Sequence, residues 1–377
     1  MSLKFILGID CFNISHGGGF THLNALLNEL NEIVGKEVKV ILWGPDNLLK
    51  KLPNYFWLKK NSNLLLNQNI FARFFWHLFY LKKEVKKSHV DVLLCPGGIC
   101  IHKSIPSIIM FRNVLPFLNK EVKKYNFIKR VRLKLFKILS IYSFKNSDGI
   151  IYLSKWSKLF INQLIDIKTS DAIIPHGVIQ RKLKIIPNFK KRVINLIYVS
   201  HTSPYKNYDY VLNNIIQLAL KNKKFKFKFL SAGEICDGFR IKKWNQLLPK
   251  NLKIKFHGNL HHEQTLNMIK KSDICIFASS AENFPNVLLE YMSLGSVCLC
   301  NNIEPMKSIL GKAGIYFNIR VKNDLQNKIK LIMENQKLQE SLKMLSYKKS
   351  KKYTWNKSAD LTLKFCHQVA RNSIKND

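Results

Sequence analysis

Two carboxylates separated by seven residues, Glu282 and Glu290, stand in the run SSAENFPNVLLEYMSLG at 279–295. The run SDICIF at 272–277 is apolar enough for a buried strand. Pro285 suits the first turn of a helix, and Gly295 suits its left-handed end. This places Glu282 in a tight strand-to-helix loop and Glu290 on the helix that follows. Backbone N–H groups at that helix start, from Asn283 through Phe284 and Asn286 to Val287, favour an anion above the sheet edge. A second candidate is Lys206 in VSHTSPYKN at 199–207, where Ser200 and His201 precede it after another apolar run. A lone lysine in a chain with 62 Lys and Arg reads equally as a solvated surface group. Gly17, Gly18 and Gly19 follow the first strand-like run, where a backbone approaches a ligand closely or simply turns. Arg112 and Asn113 follow the apolar run at 108–111, at the position of a loop beyond a strand end.

These residues need elements to hold them. A chain of 377 residues exceeds one ordinary core and implies two domains. Strand-like runs fall at 4–10, 37–43, 90–95, 107–111, 149–153 and 172–175. Helices fit between them, the longer ones at about 70–88 and 118–145, with a shorter one at 155–165. A basic linker at 179–192 follows the turn His176-Gly177-Val178, and the pattern restarts. Strands at 194–200, 225–232, 253–256, 274–277, 297–300 and 314–317 alternate with helices, ending near 323–346 and 355–373. The expected class is α/β, two doubly wound parallel-sheet domains of Rossmann type. The first spans 1–180 and the second 193–355.

The run SSAENFPNVLLEYMSLGSVCL, with NNIEPMKSILGKAGIYF after it and the 198–207 stretch before it, resembles the E-x(7)-E pattern of glycosyltransferase family 4 (group 1). These are retaining nucleotide-sugar glycosyltransferases of the GT-B fold. The resemblance implies two domains facing a central cleft and a final helix, about 356–377, crossing back to the first domain near Trp355. Lys206 would then offset the donor diphosphate, Glu290 would take the ribose hydroxyls, and Glu282 would sit beside the transferred sugar. Ser200 and residues 283–287 would contact the donor, with Gly18 and Gly19 closing over it. Arg112 and Asn113 would lie on the acceptor side. Where relatives often carry Arg, this chain has His201, a titratable ring in place of a permanent cation. His176 matches a common family turn and is expected to be structural. Ser154 to Lys158 match a helix start that either caps or meets acceptor. Neither cofactor nor metal is expected, because Lys206, helix N-termini and His201 offset the diphosphate charge.

The eight cysteines are scattered without a C-x-x-C pair or a Cys/His cluster at metal spacing, which suits a reduced, cytoplasmic chain. No secretory signal or spanning segment is evident. A formal charge of +38 attracts phosphorylated substrates, anionic lipid or nucleic acid. No zinc knuckle, RNP-like run or helix-turn-helix supports a specific nucleic-acid partner. Across 118–137 there are eight bases and one acid. The apolar stripe of Phe127, Val131, Leu135, Ile138 and Tyr142 is expected to pack on its own sheet while the bases meet an anionic inner membrane. The expected activity is sugar transfer from a nucleotide-diphosphate donor to a lipid-linked, lipopolysaccharide, O-antigen or capsule acceptor in a bacterial cell. The alternatives are a GT-B nucleotide-sugar epimerase and a non-catalytic basic protein that binds nucleic acid or membrane.

Overall fold

The computed structural model describes residues 5–15, 17–35, 37–102, 106–183, 193–246 and 248–374. Most of the expected linker, 184–192, lies outside them. The chain divides into two compact units. One comprises residues up to Phe117, Phe127–Gly177 and Thr354–Asp377; the other comprises Leu118–Asn126 and Val178–Tyr353. Residues 118–126, expected in the first domain, therefore belong with the second. They are tied there by Lys124 Nζ, which donates to Asn207 Oδ1 at 3.4 Å, and by a hydrogen bond between Tyr125 and Ser203.

The first unit carries seven strands: β1 (Phe5–Asp10), β2 (Val38–Trp43), β3 (Leu58–Asn61), β4 (Val92–Cys95), β5 (Ser107–Phe111), β6 (Gly149–Tyr152) and β7 (Ser170–Ile173). They form one parallel sheet in the order β3-β2-β1-β4-β5-β6-β7. The second unit carries β8 (Val193–Val199), β9 (Lys226–Ala232), β10 (Leu252–Phe256), β11 (Ile274–Phe277), β12 (Val297–Asn301) and β13 (Gly314–Phe317). These form a parallel sheet in the order β10-β9-β8-β11-β12-β13. β4, β5, β11 and β12 are buried along their whole length, which is why they read as continuous apolar runs rather than alternating ones. Each sheet reverses its winding once, between β1 and β4 and between β8 and β11. Ligands of such sheets bind beyond the strand carboxyl ends at that reversal.

Three expectations change. β3 (LKKN) escapes the apolar pattern because it is a short edge strand with partly exposed lysines. The helix expected over 70–88 is two, Ile70–Phe79 and Leu81–Lys87, and that over 118–145 splits into Asn119–Val122 and Phe127–Asn146. The third change is larger. The stripe of Phe127, Val131, Leu135, Ile138 and Tyr142 faces outward, and the helix instead buries Leu133, Ser140, Ser143 and Phe144. Periodicity reveals that a stripe exists, but packing selects the side that meets the sheet.

The last helix, Trp355–Ile374, returns to the first unit and packs on the helix Gly18–Ile33 and on β4 and β5. Its start is fixed by Trp355, whose ring lies 5.8 Å from that of His22 and 5.7 Å from that of His176. Gly177 runs so close that a Cβ there would stand 2.1 Å from Trp355 N. His176 is thereby a packing residue. Ser154, which opens the expected helix start at 154–158, caps the helix Lys155–Asn162 in a reciprocal box with Ser157. Gly177→Ala should destabilise the first unit by about 1–3 kcal/mol through backbone overpacking, read as a lowered denaturant midpoint.

Candidate functional site

In the second unit, the loops leaving β8 and β11 flank the winding reversal and are stitched together. Asn207 adopts the left-handed conformation, φ 54° and ψ 39°, which turns its side chain across the gap. Its Nδ2 donates to Tyr205 O at 2.9 Å, to Ala278 O at 2.8 Å and to Ser280 Oγ at 3.2 Å. Ser280 N returns a bond to Tyr205 O at 2.8 Å. From below, Tyr291 Oη accepts from Val199 N at 2.8 Å, and Tyr198 Oη donates to Lys206 O at 3.0 Å. Gly233, at φ 135°, lets β9's end pass under Ser200; a Cβ there would lie 2.4 Å from Ser200 O.

This scaffold holds Lys206 against Glu282. Lys206 is only 7% exposed, and its Nζ donates to Glu282 Oε1 in a short ion pair. The ammonium also lies 4.9 Å from the Tyr205 ring centre and 5.5 Å from that of Phe277. A cation so enclosed is held to its one counter-ion, because leaving either buried charge unpaired is costly. Burial and the nearby Glu282 charge push the Tyr205 phenol up, so it stays neutral and shares a hydrogen bond with His201 Nε2 at 3.2 Å. The Ser200 hydroxyl donates to His201 O within its own loop. Asn283, Phe284 and Pro285 are buried, and Phe284 packs edge-on against Tyr353 at 5.5 Å. Pro285 sits one position before the helix Asn286–Ser293, at its cap, with no side-chain hydrogen bond there. Asn286 and Val287 are half-buried, and in the first turn Leu288 N and Leu289 N both donate to Pro285 O, at 3.2 and 3.4 Å.

Glu290 lies one turn along that helix, and its Oε1 accepts from His262 Nε2 at 2.8 Å. His262 starts the helix His262–Lys270, and the neighbouring Glu263 pairs with Arg181 at 2.8 Å. The hydrogen bond to Glu290 raises the His262 pKa above its usual range.

In the first unit, Gly17 caps the helix Gly18–Ile33 with no side-chain bond, and Gly18 opens it. A Cβ on Gly19 would lie 3.4 Å from an Arg112 guanidinium nitrogen, so Arg112 reaches beneath this loop. Its Nε is enclosed without a hydrogen-bond partner, and among the described residues no carboxylate pairs with it. Burial lowers its pKa to about 10, which leaves it charged at neutral pH. Asn113 is exposed and its Oδ1 accepts from Leu115 N at 3.2 Å, shaping the loop. Asn13 Nδ2 donates to Gly97 O at 3.0 Å and ties the β1 and β4 loops as Asn207 ties those of the second unit.

Residues 180–349 match the family model of glycosyl transferases group 1. This stretch is a group 1 glycosyltransferase domain. An uncharacterized glycosyltransferase of Methanocaldococcus jannaschii is 24% identical over 270 residues, 70% of this chain and 69% of that one. The structure is similar to sucrose-phosphate synthase from Thermosynechococcus elongatus, with a TM-score of 0.74 at 12% identity over 99% of this chain and 100% of that chain. It is also similar to WaaG, a glycosyltransferase involved in lipopolysaccharide biosynthesis, with a TM-score of 0.69 at 12% identity over 96% and 99%. The chain has the GT-B fold. Glu282, Glu290 and Lys206 all lie within the matched glycosyltransferase domain.

The sequence did not reveal His262, Asn207 or Tyr291, nor the buried pair of Asp10 and His77 at 2.7 Å in the first unit. His262 and Glu290 are 28 positions apart and meet only because β11 follows the His262 helix. Two outcomes follow. Tyr291→Phe removes the acceptor of the half-buried Val199 N–H and should cost about 1 kcal/mol or somewhat more, measured by chemical denaturation. His262 has a raised pKa in the fold, so its contribution is complete below the unfolded value near 6.5 and fades as pH rises through the raised value. His262→Ala should therefore lower Tm more at pH 5.5 than at pH 9.

Proposed function

We propose that this glycosyltransferase is a retaining enzyme of the family 4 type that takes its sugar from a nucleotide-diphosphate donor bound on the second unit. The observation that carries the reading is the enclosed Lys206 against Glu282 at the winding reversal, beside an uncapped helix start. The diphosphate is received by Lys206 and by the N–H groups of Asn286 and Val287, with His201 alongside. Glu290 holds the ribose hydroxyls, its second oxygen remaining for them while His262 occupies the first. Glu282 orients the sugar's hydroxyls and offsets positive charge on its ring.

In the transfer, the bond from the anomeric carbon to the phosphate oxygen breaks and its electron pair leaves with the diphosphate. The acceptor hydroxyl oxygen bonds to the same face of that carbon, and its proton passes to the departing phosphate oxygen. Lys206 stabilises the growing phosphate charge, so the step needs no metal. Arg112 beneath the glycine loop serves the acceptor side. The acceptor is a lipid-linked or lipopolysaccharide, O-antigen or capsule glycan assembled at an anionic membrane, a reading supported by the chain's charge and its likeness to WaaG. No helix among the described residues is long and apolar enough to cross a membrane, so contact would be peripheral.

Binding and slow hydrolysis across UDP-, GDP-, ADP- and dTDP-sugars, with EDTA present, test this. One donor should bind, with affinity reduced about 10–100-fold in Glu290→Ala and turnover reduced about 100-fold or more in Lys206→Ala. The product anomer, read by NMR, should match the donor. No binding by any nucleotide sugar to the folded protein would sink the reading.

A further inference from the structure

The helix Phe127–Asn146 leaves an apolar row in solvent. Ile128, Val131, Leu135, Ile138 and Tyr142 recur at spacings of three and four, and each is between 43% and 79% exposed. From Ile128 to Tyr142 this row runs about 21 Å along the helix. A heptad-spaced row of this kind is the seam two helices use to pair, so a second copy of the chain is the first occupant to weigh. The charges decide against it. The helix carries Lys129, Arg130, Arg132, Lys134, Lys137 and Lys145 and no acid. A parallel pair would lay the bases of one copy along those of the other, and in either orientation the paired helices would hold no acid to neutralise them.

An anionic bilayer surface satisfies both features. Apolar side chains enter the acyl boundary while the bases beside them meet lipid phosphates. A second exposed ridge, Phe71, Phe75 and Phe79, lies on the helix Ile70–Phe79 and is followed by Lys82, Lys83, Lys86 and Lys87. One short loop is fastened to both helices. Cys100 N donates to Ser143 Oγ at 3.0 Å, and His102 Nε2 bonds the His77 carbonyl at 2.5 Å. We propose that the outward face of the helix Phe127–Asn146 is an in-plane docking surface for anionic phospholipid. The glycosyltransferase reading supplies the reason for such a surface, and the proposal deepens its membrane assignment.

Cosedimentation of the full chain with phosphatidylcholine vesicles, with and without phosphatidylglycerol, tests this independently of donor binding. Binding should need the anionic lipid and weaken as salt rises. The combined variant Arg130→Gln, Arg132→Gln and Lys134→Gln should partition roughly a hundredfold more weakly. The variant Ile128→Ser, Val131→Ser, Leu135→Ser and Ile138→Ser should also lose binding, while its melting curve and nucleotide affinity remain those of the parent. Vesicle binding unchanged by the serine variant would overturn the proposal. So would lipid-free dimers in light scattering that the serine variant dissolves, since the face would then pair copies. Failure of every nucleotide sugar to bind would remove the enzymatic reading and leave the vesicle result standing.

Discussion

The second unit is organised around keeping one ammonium group out of water. Lys206 loses most of its hydration, and a single carboxylate with two aromatic faces replaces it. Such an arrangement endures only if neither partner can swing away, because a buried charge deprived of its counter-ion is costly. The left-handed Asn207, the Tyr198 and Tyr291 hydroxyls and the close pass of Gly233 all serve that requirement. Each fastens the backbone on one side of the pair. The result is a fixed positive centre at the strand ends, where a reorganising solvent shell would otherwise be needed.

The first unit uses the same device with the balance altered. Asn13 sews its two reversal loops together, and the glycine loop lies over Arg112. No carboxylate there compensates the guanidinium among the described residues. The local carboxylate, Asp10, is instead spent on His77 beneath the sheet edge. One unit thus presents a cation already balanced by an acid, and the other a cation awaiting an anion. That asymmetry suits units that receive different parts of a reaction.

Much of this was legible in the residues. The long apolar runs gave the parallel strands because strands covered on both faces cannot alternate. The match in 279–295 carried Glu282 and Glu290 to the loop and helix in which they are found, and Gly295 has the left-handed φ of 62° expected of it. The edge strand β3 was hidden by its lysines, and the breaks in the two long helices carry no proline or glycine to announce them. Ser200, Asn283 and Phe284, singled out for a donor, have side chains engaged in the loop's own bonding and packing.

The sequence by itself determined which segments become strands and helices, that the chain has two α/β units, and which motif bears the carboxylates. Those are local or period-based properties, set by hydrophobic spacing and turn chemistry. Only the tertiary structure decided that Lys206 meets Glu282, that His262 holds Glu290, and that residues 118–126 side with the second unit. It also decided which face of the helix Phe127–Asn146 remains outside. A helix can bury any stripe that finds a partner, and the choice depends on what the sheet offers, so no pattern within the helix could have made it.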